Sequence, residues 1–189
     1  EDGDIDVVGF GQISGGLAGQ VFFNSGNGIA FTGATVGGGG GGSVGNPVQG
    51  ALGDVNCDGK LDMAVGGSIF LGAGTSWSPG AAANDSKIAQ LGDLNGDGFL
   101  DLVTHDQENG LRAYLNNGSG TAFTLTDMGL PDATWVSPVL SSPTNPLSSA
   151  YGFDLADVTG DGVLDLVRTL QADTDGWGGS TAVIEVWTR

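Results

Sequence analysis

The chain has 189 residues and a formal charge of −17, and its five basic residues form no patch, which argues against nucleic acid or an anionic membrane as partner. Thirty-seven glycines beside 39% apolar residues describe a turn-dense β-protein and exclude a disordered chain. A single cysteine excludes an internal disulfide, and no apolar stretch reaches the roughly 20 residues of a membrane helix.

In chain order, the opening residues Asp2-Gly-Asp-Ile-Asp6-Val7-Val8 align with Asp58-Gly-Lys-Leu-Asp62-Met63-Ala64 further on, so the chain opens inside a motif that it later repeats in full. Apolar runs bounded by Gly, Asp and Asn predict strands at 5–10, 19–24 and 30–36 in a first unit. The glycine run 37–42 reads as a flexible connector. A second unit carries strands at 48–52, 61–66 and 68–71 and a weakly marked one near Trp77. A third has 88–91, 100–104, 111–115 and 122–127, and a fourth has 152–155, 164–170 and 182–187. Asn-Gly pairs at 27–28, 109–110 and 117–118 sit where hairpin turns are needed. No amphipathic helix is visible.

Three nine-residue stretches repeat one pattern: Asp54-Val-Asn-Cys-Asp-Gly-Lys-Leu-Asp62, Asp93-Leu-Asn-Gly-Asp-Gly-Phe-Leu-Asp101 and Asp157-Val-Thr-Gly-Asp-Gly-Val-Leu-Asp165. Each places an oxygen-bearing side chain at positions 1, 3, 5 and 9 and a glycine at position 6. Such alternation turns oxygens toward a hard cation, and the glycine permits the tight turn. The pattern therefore reads as a calcium loop. It is not an EF-hand, because position 12 is Val65, Thr104 or Arg168 where that motif needs a bidentate acid, and short strand-like runs flank each loop instead of helices. Each loop is expected to be the turn of a β-hairpin closed by metal. The position-9 aspartate starts the second strand and completes the cage.

The pattern Asp-x-Asn/Thr-x-Asp-Gly-x-Leu-Asp-Leu/Met-x-Val resembles the FG-GAP/VCBS repeat of integrin α-subunit-like β-propellers and many secreted microbial proteins. The resemblance implies an all-β fold of four-stranded propeller blades, with the calcium loop joining the first and second strands of each blade. It further implies ligands Asp54, Asn56, Asp58 and Asp62 with the Lys60 carbonyl in the first loop. In the second these are Asp93, Asn95, Asp97 and Asp101 with the Phe99 carbonyl. In the third they are Asp157, Thr159, Asp161 and Asp165 with the Val163 carbonyl. Thr159 brings a neutral hydroxyl, so the third of the three calcium sites is expected to be the weakest. In the truncated copy, Asp2 and Asp6 alone cannot make the cage of 6 to 8 oxygens that calcium takes.

On this parsing 1–189 is one propeller region of about three and a half blades. It divides into a partial blade at 1–47, a blade at 48–87, a blade at 88–150 and a partial blade at 151–189. The loops are spaced 39 and then 64 residues apart, and the excess is a Pro/Ser/Thr-rich loop at 137–149 that projects from one face. The first blade lacks its innermost strand and the last its outermost. The chain is therefore expected either to be a segment of a longer protein or to be completed by copies of itself through open blade edges.

Nine of the 22 acids lie in the three full loops, and three calcium ions would bring the charge from −17 to −11. Weak calcium loops of about 0.1–1 mM affinity belong outside cells, so a secreted or cell-surface module is expected. Asn84-Asp-Ser86 and Asn117-Gly-Ser119 are N-glycosylation sequons. Cys57 occupies loop position 4 with its side chain directed away from metal. His105, the sole histidine, reads as a polar rim residue with no catalytic motif around it, and the carboxylates read as metal ligands, so the chain is not expected to be an enzyme. The expected function is adhesion or lectin-like recognition of a glycan or protein ligand. Trp77, Trp135, Trp177 and Trp187 are read as exposed aromatics; Trp135 and Trp177, in loops, are the ligand-contact candidates, and Trp187 is assigned to packing. The alternatives are a structural subunit of an extracellular assembly or filament, and a non-catalytic part of a larger secreted enzyme.

Overall fold

The computed structural model describes residues 4–13, 16–26, 30–39, 49–82, 88–106, 110–128, 150–173 and 180–188. Among these residues there is no helix, and the strands form four antiparallel sheets. The first sheet is β1 (Val7–Ile13), β2 (Gly16–Asn24) and β3 (Phe31–Gly39). The second is β4 (Gly50–Gly53), β5 (Asp62–Val65), β6 (Ser68–Gly72) and β7 (Trp77–Ala82). The third is β8 (Ile88–Gly92), β9 (Asp101–Asp106), β10 (Gly110–Asn116) and β11 (Phe123–Thr126). The fourth is β12 (Ala150–Ala156), β13 (Asp165–Asp173) and β14 (Ser180–Trp187). Within each sheet, neighbours in space are neighbours in sequence, so every sheet is a simple meander.

Every strand overlaps a predicted one, and the weakly marked strand near Trp77 is β7. One correction concerns the glycine run: β3 continues to Gly39, where it pairs with Leu17, so the run is partly strand and not wholly connector. Backbone pairing needs no side chain, which is why composition alone misassigns it. The segment 137–149 lies outside the described residues.

The sheets stack face to face, and in the two middle sheets the period-2 alternation of the strands divides side chains between two cores. Val21 and Val36 of the first sheet pack on Met63 and Val65 of the second. Val55, Ala64 and Ile69 of the second pack on Ala89, Leu102 and Tyr114 of the third. Val103, Leu111 and Ala113 of the third pack on Phe153 and Leu166 of the fourth. Thus Leu102 and Val103, adjacent in β9, face opposite cores. One register rule recurs in all four sheets: the residue after the position-9 aspartate pairs with an aromatic on the next strand. The pairs are Val7 with Phe22, Met63 with Phe70, Leu102 with Tyr114 and Leu166 with Trp187.

The strands that open the last three sheets lie against one another. Gln49 and Ile88 form a parallel bridge, with the Ala89 amide donating to the Gln49 carbonyl at 3.0 Å. Gln90 Nε2 donates to the Phe153 carbonyl at 3.2 Å. The step between sheets repeats. A Cβ at Gly53 would meet Leu100 and Leu91 of the third sheet, and one at Gly92 would meet Leu164 and Leu155 of the fourth. Each of these glycines immediately precedes a loop, so the loops emerge at the same end of successive sheets.

Two side chains sit differently from their sequence-based reading. His105 is buried in β9, between its strand partners Ile88 and Leu111, and is not a rim residue. Trp77 is half-buried in the first-to-second-sheet core, its ring stacked on Phe23 with centroids 6.0 Å apart, and is not an exposed aromatic. The first sheet supplies the cover for Trp77, and His105 is flanked by the two strands beside it in its own sheet, which no local pattern reveals. Trp187 packs on the third-to-fourth-sheet core with Arg168 at 5.9 Å from its ring.

Candidate metal centres

The three loops connect β4 to β5, β8 to β9 and β12 to β13. Position 1 organises each of them. Asp54 Oδ1 accepts from the Asp58 amide at 3.0 Å and Oδ2 from the Gly59 amide at 2.8 Å. Asp93 Oδ1 accepts from Gly96 and Asp97 (2.7 and 3.2 Å), and its Oδ2 from Gly98 (2.9 Å). Asp157 repeats this with Gly160, Asp161 and Gly162 at 2.6, 3.1 and 2.9 Å. Position 5 caps the following turn: Asp58, Asp97 and Asp161 each accept from the amide two residues on, at 2.9 Å. At position 3, Asn56 and Asn95 accept from the position-5 amide at 3.1 and 2.9 Å, whereas Thr159 makes only a 3.5 Å contact to Asp157. These Asx-type bonds follow from short carboxylate and amide side chains among successive free amides.

The position-6 glycines, Gly59, Gly98 and Gly162, have φ of 82°, 88° and 85°, which only glycine adopts without strain. Position 4 is also left-handed. It is glycine in two loops, Gly96 and Gly160, but Cys57 at φ 58° in the first. Relief of the Cβ strain exceeds the added unfolded-state entropy of glycine, so Cys57→Gly is expected to raise stability by about 0.5–1 kcal/mol. A urea melt checks this, and a loss of stability would mean that the exposed Cys57 side chain makes a favourable contact.

The position-9 aspartates behave differently from the rest. Each starts a strand and is fully buried. Asp62 Oδ2 accepts from the Val55 amide (2.9 Å) and Oδ1 from Gly72 at the end of β6 (2.7 Å). Asp101 does the same with Leu94 (2.9 Å) and Asn116 (2.8 Å). Asp165 Oδ2 accepts from Val158 and Thr159, while its Oδ1, also buried, has no hydrogen-bond partner. Asp6 of the truncated copy takes the Asn24 amide at 2.8 Å, which places it in the same role. Asp2 lies outside the described residues. Position 9 therefore tests as a staple between loop and sheet, a role the sequence did not reveal. The strand-end asparagines Asn24 and Asn116 are further partners that the sequence pattern does not single out: Asn24 only closes the predicted strand 19–24, and Asn116 falls between the strand 111–115 and the turn 117–118.

Electrostatics divide the loops in the same way. Burial, reinforced by the carboxylates of Asp58 and Asp54, pushes the Asp62 carboxyl up, and burial with Asp97 and Asp93 does the same to Asp101. The Lys60 amide holds Asp58 below the ordinary range, and the Gly162 amide does so for Asp157. The first and second loops thus gather like charges against a buried carboxylate, an arrangement that a cation relieves.

Among the described residues, as their side chains are placed, no group of three or more His, Cys, Asp or Glu forms a metal cluster. The carboxylates instead hold the loops' own amides. The donor set still fits a hard cation. It is all oxygen, a carboxylate offers about four lone-pair sites and uses only some of them on amides, and Asp165 Oδ1 is an orphaned buried acceptor. Asp54, Asn56, Asp58 and Asp62, their counterparts in the other loops, and the Lys60, Phe99 and Val163 carbonyls are the groups that would hold it.

Residues 93–167, which span the second loop, the third loop and the strands between, match the family model of the FG-GAP-like repeat. This segment carries FG-GAP-like repeats. The first loop lies outside the matched span but obeys the same hydrogen-bond pattern as the repeats within it, and the truncated copy repeats the strand-end bond of the position-9 aspartate. No curated protein matches the chain.

Trp135, Trp177 and Asn84 lie outside the described residues. Asn117 is exposed on the turn after β10, where its Oδ1 accepts from the Ser119 amide (3.1 Å) and hydroxyl (2.6 Å).

Proposed function

We propose that the chain is part of an extracellular, calcium-stiffened β-propeller that serves adhesion or recognition of a glycan or protein ligand. The observation that carries this reading is the threefold recurrence of one oxygen-rich loop at the same place in successive stacked sheets. Calcium would neutralise the clustered carboxylates and staple each hairpin, with no catalytic part. The loop chemistry accounts for the acidic side chains without an acid/base pair, so the module is read as non-catalytic, whether alone or within a larger secreted enzyme. Trp135 and Trp177 are the proposed ligand contacts, and Asn84 and Asn117 the proposed glycan carriers.

A second reading, a structural unit of an extracellular assembly, is favoured by one observation. Ile184 and Val186 of β14 are 68% and 50% exposed, yet their register equivalents in β10, Leu111 and Ala113, are 5% and 1% exposed beneath the next sheet. Val7, on the opposite outer face, is likewise exposed where its equivalents Met63 and Leu102 are buried. Both outer faces thus carry the pattern that another repeat sheet covers, whether from a longer polypeptide or from a second copy. The native particle mass in calcium buffer, measured by light scattering and followed by a glycan and protein binding panel, separates the readings. A discrete particle that binds a ligand is the expected result. A large assembly of repeated copies without ligand binding would replace it with the structural reading.

A further inference from the structure

The turn after β10 is built into two loops at once. Asn116 is 4% exposed, and its backbone amide donates to Asp101 Oδ1 at 2.8 Å. Its Nδ2 donates to the Leu100 carbonyl at 3.0 Å and also crosses to the second sheet, donating to the Val55 carbonyl at 2.7 Å. Its Oδ1 accepts from the Gly118 and Gly120 amides at 3.0 and 3.3 Å. The side-chain amide therefore has both protons and its oxygen engaged. The turn also touches both loops. A Cβ at Gly120, whose φ is +66°, would lie 2.8 Å from Val55 Cγ2 and 3.4 Å from Asn56 Cβ. A Cβ at Gly118 would lie 2.8 Å from the Phe99 ring.

We propose that Asn116 is a positioning residue that couples the loop 54–62 to the loop 93–101, so that order in either favours order in the other. The hydrogen bonds form one buried chain. Asp62 holds the Val55 amide, Asn116 holds the Val55 carbonyl, Asp101 holds the Asn116 amide, and Asp101 also holds the Leu94 amide. A satisfied buried network has essentially one arrangement, so displacing one member leaves unpaired groups in both loops. Coupling of this kind is reciprocal. Its extension to cation binding rests on the calcium reading above; its metal-free form does not.

The test is amide hydrogen exchange on the whole chain, with and without calcium, for wild type, Asn116→Asp, Asp54→Ala and the double variant. Asn116→Asp keeps the acceptor for the Gly118 and Gly120 amides and loses the donor to Val55. Without calcium it should speed exchange at Val55, Asp58 and Gly59 about tenfold, although these lie in the neighbouring sheet. Asp54→Ala should speed exchange at Leu94 and Asn116, and this cross-effect should vanish in the Asn116→Asp background. With calcium, Asp54→Ala should weaken binding at the second loop about fivefold or more. Leu111→Ala, which loosens the third sheet against the fourth, is the control for general destabilisation. If it speeds first-loop exchange as Asn116→Asp does, the proposal falls. Wild-type exchange in the first loop of Asn116→Asp also overturns it. If Asn116→Asp does not fold, the Asp54→Ala arm decides alone, and unchanged exchange at Leu94 and Asn116 rejects the coupling. Absence of any calcium response removes the calcium reading and leaves the metal-free arm to decide the coupling.

Discussion

Replacing Asp101 with alanine is expected to destabilise the protein by about 4 kcal/mol in the absence of any metal, since each of two buried donors left without an acceptor costs roughly 1–3 kcal/mol. The donors are the amides of Leu94 and Asn116, which hold the start of the loop and the end of β10 to one carboxylate. For a chain of this size the melting temperature should fall by roughly 10 °C. Asp101→Asn keeps one acceptor oxygen and should fall between the two. It also separates charge from hydrogen bonding, because burial and the nearby Asp97 and Asp93 already disfavour the ionised form. Thermal melts in chelator give the answer directly. Melting of Asp101→Ala at the wild-type temperature would reject the staple role and return position 9 to a purely metal-binding part.

The second large effect concerns calcium itself. With calcium at ten times the dissociation constant, each of three sites should add about 1.4 kcal/mol, or about 4 kcal/mol together, raising the melting temperature by roughly 10 °C over the chelated protein. Asp97→Ala should remove about a third of that rise. It should change the chelated protein little, by about 0.5 kcal/mol, because Asp97 is exposed and its carboxylate holds only groups of its own loop, the Phe99 amide and Asn95 Nδ2. Asp97 and Asp101 therefore make opposite predictions from two positions of one motif. The exposed aspartate should act only through the cation, and the buried one with or without it. The third loop should contribute least, because Thr159 offers a neutral hydroxyl where Asn56 and Asn95 offer an amide oxygen, and Thr159→Asp should raise its share. Identical melting with and without chelator would sink the metal-stapled reading for all three loops.

The strands and the loops were legible in the sequence because their determinants are local. Alternating apolar residues between Gly, Asp and Asn mark each strand, and the aspartate spacing marks each loop. The same locality explains the misreadings. Nothing near Trp77 announces Phe23, and nothing near His105 announces the neighbouring strands that bury it. Asn116 falls between a predicted strand and the Asn117-Gly118 turn, where no local pattern marks it. Its partner Val55 is 61 residues away, and no single-sequence signal connects them.

The sequence by itself determined the all-β meander, the recurring unit and the oxygen-rich loops, because turn chemistry and side-chain alternation act within a few residues. Only the tertiary structure decided which face of each strand meets which neighbour. It also made the ninth residue of each loop a buried staple and joined two loops through one asparagine. Those outcomes depend on burial between stacked sheets, where a carboxylate or an amide stays only when groups distant in the chain come to pair with it.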